Sequence, residues 1–203
     1  MLSKITIVNA FDPEDYFIEF LSREYDNAVS ESGVMSELLF INPMHFSYTP
    51  FPEHYTFDTL EPDLQRSIQS IKDASVVSIF TSWNPHKEPN PAITHFVNRL
   101  FHLQHGAINT GIWGDTNTHH KRVRIITVID DPAEWRRYKR TRDPGALPVT
   151  KIDFRLFGFG EVFTKTFGYL KPGELNDYGR KCVETIHFLA AKDAEALGLG
   201  PVL

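Results

Sequence analysis

The 203-residue sequence predicts an α/β fold, a three-layer doubly wound sheet of five parallel strands in the order 2-1-3-4-5. Three observations predict it. Short β-branched runs recur along the chain and are almost continuously apolar, the pattern of strands covered on both faces. Helical patterns separate these runs, and parallel strands need such crossover connections. Two of the helices also open on Pro beside acidic residues, at Pro13 and Pro132, each just past the end of a strand.

Taken in order, Ile5 to Val8 reads as the first strand, and Asp12-Pro13-Glu14-Asp15 starts a helix that reaches Ser32. Phe17, Leu21, Tyr25 and Ala28 share one face of it, and Gly33 stops it. Val34 to Ile41 is the second strand, ended by Asn42-Pro43. Met44 to Pro62 is aromatic- and Pro-rich without a period, and loops of that length in compact domains are commonly functional or interfacial. Leu64, Ile68 and Ile71 mark a short helix before a third strand at Ser75 to Phe80, which ends in Thr81-Ser82-Trp83-Asn84. Pro91 opens an amphipathic helix to Phe101, and an irregular stretch follows from Leu103 to His120. Arg122 to Ile129 is the fourth strand, and Asp130-Asp131-Pro132 starts a helix through Trp135 and Tyr138. A helix over Val149 to Phe157, a fifth strand at Val162 to Phe167 and a final helix from Glu174 to Ala194 complete the reading.

Composition narrows the function classes. At 41% hydrophobic and 23% charged residues, the chain reads as a single globular domain over residues 1–203. A net charge of −5 points away from nucleic acid and acidic membranes as partners. The lone Cys182 excludes an intrachain disulfide and a cysteine-rich zinc site, and its helical position makes it a buried structural thiol. Nine histidines invite a metal hypothesis, but none forms the i, i+4 pair with an intervening Glu of a zinc protease helix, so no metal site is assigned. With no signal pattern and no membrane-length apolar run, a cytoplasmic protein is expected. Asn9 to Asp15 contains no glycine, which argues against a Rossmann dinucleotide fingerprint.

The site is expected where ligands bind in open α/β sheets, at the carboxyl ends of the strands. Trp83 stands there at the end of the third. Four short features in matching order resemble the flavodoxin-like NAD(P)H quinone oxidoreductase family, which includes azoreductase-type members. They are the opening strand to Asn9-Ala10, the third strand with Trp83-Asn84 and its Pro-initiated helix, the Asn98-Arg99 pair, and Gly158-Phe159-Gly160 before the last strand. The resemblance implies a bound FMN carrying hydride from NADH or NADPH to a quinone, azo or nitro acceptor, commonly in a homodimer. It places the phosphate end at Asn9, Phe11, Asp15, Tyr16 and Phe17, the flavin ring at Ser82, Trp83 and Asn84, and the far edge at Thr127, Val128, Ile129 and Asp130. No catalytic side chain is assigned, because the cofactor carries the chemistry.

The chain also departs from that family. Phe11 and Tyr16 stand at positions the family gives to His and Ser, Asp12, Glu14 and Asp15 crowd the phosphate loop, and no glycine follows the fourth strand. Carboxylates at a helix N-terminus occupy the amides an anion needs. The alternative is therefore a flavodoxin-like binding or interaction protein that has lost FMN. The basic run Arg136, Arg137, Lys139, Arg140 and Arg142 reads as a solvated helix face or as a site for a nicotinamide cofactor's phosphate.

Overall fold

A computed structural model describes residues 4–10, 16–47, 57–84, 86–87, 91–92, 95–96, 99, 121–141, 159–170 and 176–198. The strands are β1 (Lys4–Ala10), β2 (Met35–Phe40), β3 (Val76–Trp83), β4 (Arg122–Ile129) and β5 (Glu161–Gly168). The helices are α1 (Tyr16–Glu31), α2 (Pro62–Asp73), α3 (Pro132–Thr141) and α4 (Asp177–Glu195), with a 3-10 turn at Phe57–Thr59. Pro91, Ala92, His95, Phe96 and Arg99 are also helical. The sheet runs β2-β1-β3-β4-β5 with every pairing parallel, the order the sequence predicts.

Alternation along the central strands supplies two apolar faces. Ile5, Ile7, Val76, Phe80, Ile126 and Val128 lie under α1 and α4, in one cluster with Leu21, Val29, Cys182 and Ile186. Val8, Val77, Ile79, Val123 and Ile125 face the other way, against Leu64, Ile68 and Ile71 of α2 and against Ala92 and Phe96. These two clusters are the three-layer core.

The ends of the elements follow local chemistry. Gly33 takes a φ of +73° just past α1, the left-handed stop that glycine adopts without penalty. The Asn176 side chain accepts from the Gly179 backbone N at 3.1 Å, so α4 begins at Asp177 rather than Glu174. Lys121, at the foot of β4, donates to the carbonyl oxygens of Ile71, Lys72 and Ala74 and so closes the carboxyl end of α2.

One boundary differs in a way that matters for the site. The third strand runs through Trp83 instead of stopping at Phe80, because β4 is long enough to pair with it, Trp83 opposite Ile129. The Asp130 backbone N then donates to the Trp83 carbonyl at 2.9 Å. The predicted helix over Val149 to Phe157, the Leu103 to His120 stretch, Phe11 to Asp15, Asn98 and Gly158 lie outside the described residues.

Candidate functional site

The carboxyl ends of β1, β3 and β4 lie side by side. Their register forms a cross-strand row of small side chains, Ala10 opposite Thr81, Thr81 opposite Thr127, and Thr127 opposite Thr166 of β5. Ala10, Thr81 and Thr127 are buried. Two residues further along the pleat, Trp83 pairs with Ile129 and Ile129 with Gly168. Trp83 is half-buried, a large flat ring on the last residue of a strand that is closed off from solvent as far as Thr81.

Beyond Trp83 the chain turns, and the turn is tied to the end of β4. Asn84 uses both ends of its amide: Nδ2 donates to the Asp130 carbonyl, and Oδ1 accepts from the His86 backbone N, both at 2.9 Å. Lys87 Nζ lies 3.7 Å from Asp130 Oδ2, and His86 Nε2 lies 4.0 Å from Asp131 Oδ2. Asp131 also caps α3, accepting from the Glu134 backbone N at 2.7 Å. Both contacts are solvent-facing and add little stability. The two Asn84 hydrogen bonds hold the geometry.

Asn9 closes the β1 side. It is 1% exposed and points toward α1, where Nδ2 donates to Ser22 Oγ at 2.6 Å. The Ser22 hydroxyl in turn gives its proton to the Glu19 carbonyl at 2.8 Å. That direction of donation leaves Asn9 Oδ1 as a buried acceptor without a partner among the described residues. Buried acceptors are seldom left so, and an unmet one at a strand end calls for a donor from outside the sheet.

The sequence-assigned residues thus divide. Asn9, Ser82, Trp83, Asn84, Thr127 and Asp130 come together at the three strand ends. Val128 and Ile129 are on the same strand end but fully buried, so only their backbone is offered. Tyr16 is 63% exposed at the first residue of α1, while Phe17 is buried beneath that helix beside Phe20. Phe11 and Asp15 lie outside the described residues. Sequence reasoning missed His86 and Lys87, whose only signal was the turn-forming Asn84-Pro85 step before them. Among the described residues no cluster of His, Cys, Asp or Glu could hold a metal ion, and no helix is long and apolar enough to cross a membrane.

Arg99, from the Asn98-Arg99 pair, is buried and donates from Nη2 to the Ser47 carbonyl at 2.7 Å. Ser47 N donates to Glu61 Oε1 at 2.8 Å. Arg99 therefore ties the start of the aromatic loop to the residue before α2.

No family model matches the sequence, and neither does any curated protein. The fold does match solved structures. It is similar to an NAD(P)H:quinone oxidoreductase from Methanothermobacter marburgensis, with a TM-score of 0.65 at 16% identity over 97% of this chain and 96% of that one. An FMN-dependent NADH-azoreductase from Bacillus anthracis, solved in complex with FMN, gives 0.60 at 12% identity over 95% and 100%. A flavodoxin from Streptococcus pneumonia gives 0.52 at 10% identity over 97% and 98%. The fold is flavodoxin-like, and it is shared with quinone reductases and azoreductases at low identity.

Proposed function

We propose that the chain is an FMN-dependent NAD(P)H oxidoreductase that reduces a quinone, azo or nitro acceptor by two electrons. One observation carries the reading: three adjacent strand ends present a half-buried Trp83, latched through Asn84 to Asp130, beside a buried row of small residues. A flat ring system binds best against such a platform, with a few fixed polar groups to orient it. The residues present fit FMN. Asn9 Oδ1 is a buried acceptor in want of a donor, and the ribityl chain of FMN is rich in hydroxyls.

Trp83 would then stack with the ring, while Asn84 and Asp130 fix the polar rim that orients it. Bound FMN supplies the hydride chemistry between a nicotinamide donor and the acceptor. The chain's own part is to hold the ring on a dry strand end and to keep the β3 and β4 turns in one arrangement. In this reading residues 1–203 form one cytoplasmic domain, and Met44 to Tyr55 and Leu103 to His120 supply contacts for a homodimer.

A second reading has one observation in its favour. Asp12, Glu14 and Asp15 precede α1 in the sequence, and carboxylates near a helix N-terminus compete with a phosphate dianion for its amides. The chain would then be a binding or interaction protein without FMN. Titration of the purified protein with FMN, followed by flavin fluorescence, separates the two. Saturable binding at micromolar concentration or tighter, weakened roughly tenfold or more by Trp83→Ala, is the expected result. No saturation at millimolar FMN would rule the flavoenzyme out.

A further inference from the structure

Helix α3 has two unlike faces. Trp135 and Tyr138 turn inward, and the indole rests against Gly168 at the end of β5, where an added Cβ would collide with three of its atoms. Tyr138 stacks on that indole with centroids 5.6 Å apart and planes at 16°, and Tyr178 of α4 closes on it at 6.3 Å. These contacts seat the helix, although none of its residues is fully buried. The opposite face is exposed and carries Ala133, Arg136 and Arg140 at helical spacing, with the half-buried Arg137 beside them.

Four of the ten residues of α3 are cationic against one acid, Glu134, in a chain of net charge −5. Glu134 meets Arg137 at 2.6 Å, and Lys139 lies 5.7 Å from the indole centroid. Arg136 and Arg140 pair with no carboxylate among the described residues, and Arg140 Nε donates to the Arg136 carbonyl at 3.4 Å. A helix dipole accounts for cations in the last turn, but Arg136 lies in mid-helix, and like charges four residues apart destabilise a helix. A face that served only solubility would mix its signs. Local rules broken without a return inside the fold are expected at functional places.

We propose that the outer face of α3 docks an acidic segment of a partner protein. Arg136 and Arg140, one turn apart, each offer a planar fork that holds a carboxylate by two parallel hydrogen bonds. The dimensions select a protein segment over a nucleic acid or a membrane. The helix is about 15 Å long, and Asp130, Asp131 and Glu134 bound the cationic stripe at its amino end. An extended phosphate field would run onto those carboxylates and onto a chain that is acidic elsewhere. A few carboxylates in a row would not. One helix face is small for a specific interface, so the complex is short-lived and charge steers its formation. Asp131 caps α3, and the Asp130 carbonyl before it holds the Asn84 turn, so the partner sits beside the strand-end site. The docking face is independent of the flavoenzyme reading.

Fluorescence anisotropy of a labelled octaglutamate peptide, titrated with the full chain at low salt, tests this. Binding should saturate, and should weaken roughly tenfold or more when Arg136→Gln and Arg140→Gln are combined, and again as salt is raised. The control pair Lys181→Gln and Lys192→Gln removes the same charge from exposed positions of α4 and should leave the affinity unchanged. The α3 pair relieves a like-charge contact, so its melting temperature should hold or rise. No saturation, an affinity untouched by the α3 pair, or an equal loss in the control pair overturns the proposal. A lower melting temperature in the α3 pair also overturns it, because the arginines would then serve the fold. Tighter binding of an oligothymidylate of matched charge would move the face to nucleic acid. A changed sedimentation coefficient in the α3 pair would assign it to a second copy of this chain. Either result overturns the acidic partner.

Discussion

The two ends of the sheet are built on different principles. Toward the amino ends of β3 and β4, the polar groups beneath α1 and α4 answer one another. Tyr25 of α1 donates to Asp193 Oδ2 of α4 at 2.6 Å, and Ser78 of β3 donates to the Tyr25 hydroxyl at 2.9 Å. Arg124 of β4 grips the same carboxylate with two nitrogens, Nη2 reaching Oδ1 at 2.6 Å. Arg124 is 7% exposed and Asp193 2%, so the network is a buried ion pair with its remaining valences met. Burial, reinforced by the Asp193 carboxylate, holds the Tyr25 phenol well above its ordinary range and keeps it a neutral donor. At the carboxyl ends, by contrast, Asn9 Oδ1 lacks a donor among the described residues, Trp83 is half-covered, and the contacts of His86 and Lys87 with Asp131 and Asp130 face solvent. Stability is concentrated at the first end and unsatisfied binding capacity at the second.

The contrast breaks most visibly at Asp193. Asp193→Ala strands the Arg124 guanidinium without its counter-charge and should cost about 3–5 kcal/mol in urea unfolding, enough to endanger a domain of ordinary stability. A loss below about 1 kcal/mol would show that the network is not what locks α1 and α4 to the sheet. Replacing all the members by apolar residues at once should be far milder, since no charge is then left unpaired.

Gly168→Ala is next in size. The new methyl collides with an indole already held by Tyr138, and the overpacking should cost about 1–3 kcal/mol. Trp135 would have to leave its seat, so the near-ultraviolet dichroism of its indole should change with the melting temperature. An unchanged spectrum would contradict the stacking.

At the site end, changes should move binding more than folding. Tyr16→Ser with Asp12→Asn replaces an exposed ring and removes one carboxylate, and stability should shift by no more than about 0.5 kcal/mol. FMN affinity should rise. Unchanged or weaker affinity would show that these side chains do not limit the phosphate end.

The smallest effect concerns Cys182. The thiol is buried in the cluster beneath α4, and burial raises it above the ordinary thiol range. A raised pKa means less thiolate at every pH below it, so alkylation of the folded protein should stay slow and nearly flat from pH 7 to about 9, where a free thiol accelerates. Urea should restore the ordinary rate and slope. Rapid labelling of the native protein would place Cys182 near solvent.

Much of this architecture is legible in the residue pattern. Strand order and helix placement follow from apolar runs alternating with helical periods, and Gly33 and Asp131 act as the stop and cap that their residue types announce. The same helical period already places Phe17 with Leu21, Tyr25 and Ala28 on the buried face of α1. The extension of β3 to Trp83 was not legible, because strand length there depends on where β4 ends. The partners of Arg124 and Trp135 were equally hidden. Asp193 is 69 residues from Arg124, and Gly168 lies on a different strand from the one that α3 follows.

By itself the sequence determined which segments are strands, which are helices and which faces are apolar, since these depend on periodicity and on residues within a turn of one another. It also put an aromatic at the end of the third strand and an acidic stretch after the first. Only the tertiary structure decided which polar groups are satisfied. Asn9 keeps an unmet acceptor because Ser22 spends its proton on Glu19, while Arg124 and Tyr25 share one carboxylate on a distant helix. Hydrogen bonds and ion pairs act over a few ångströms in space whatever the separation along the chain, so their balance exists only once the layers have closed.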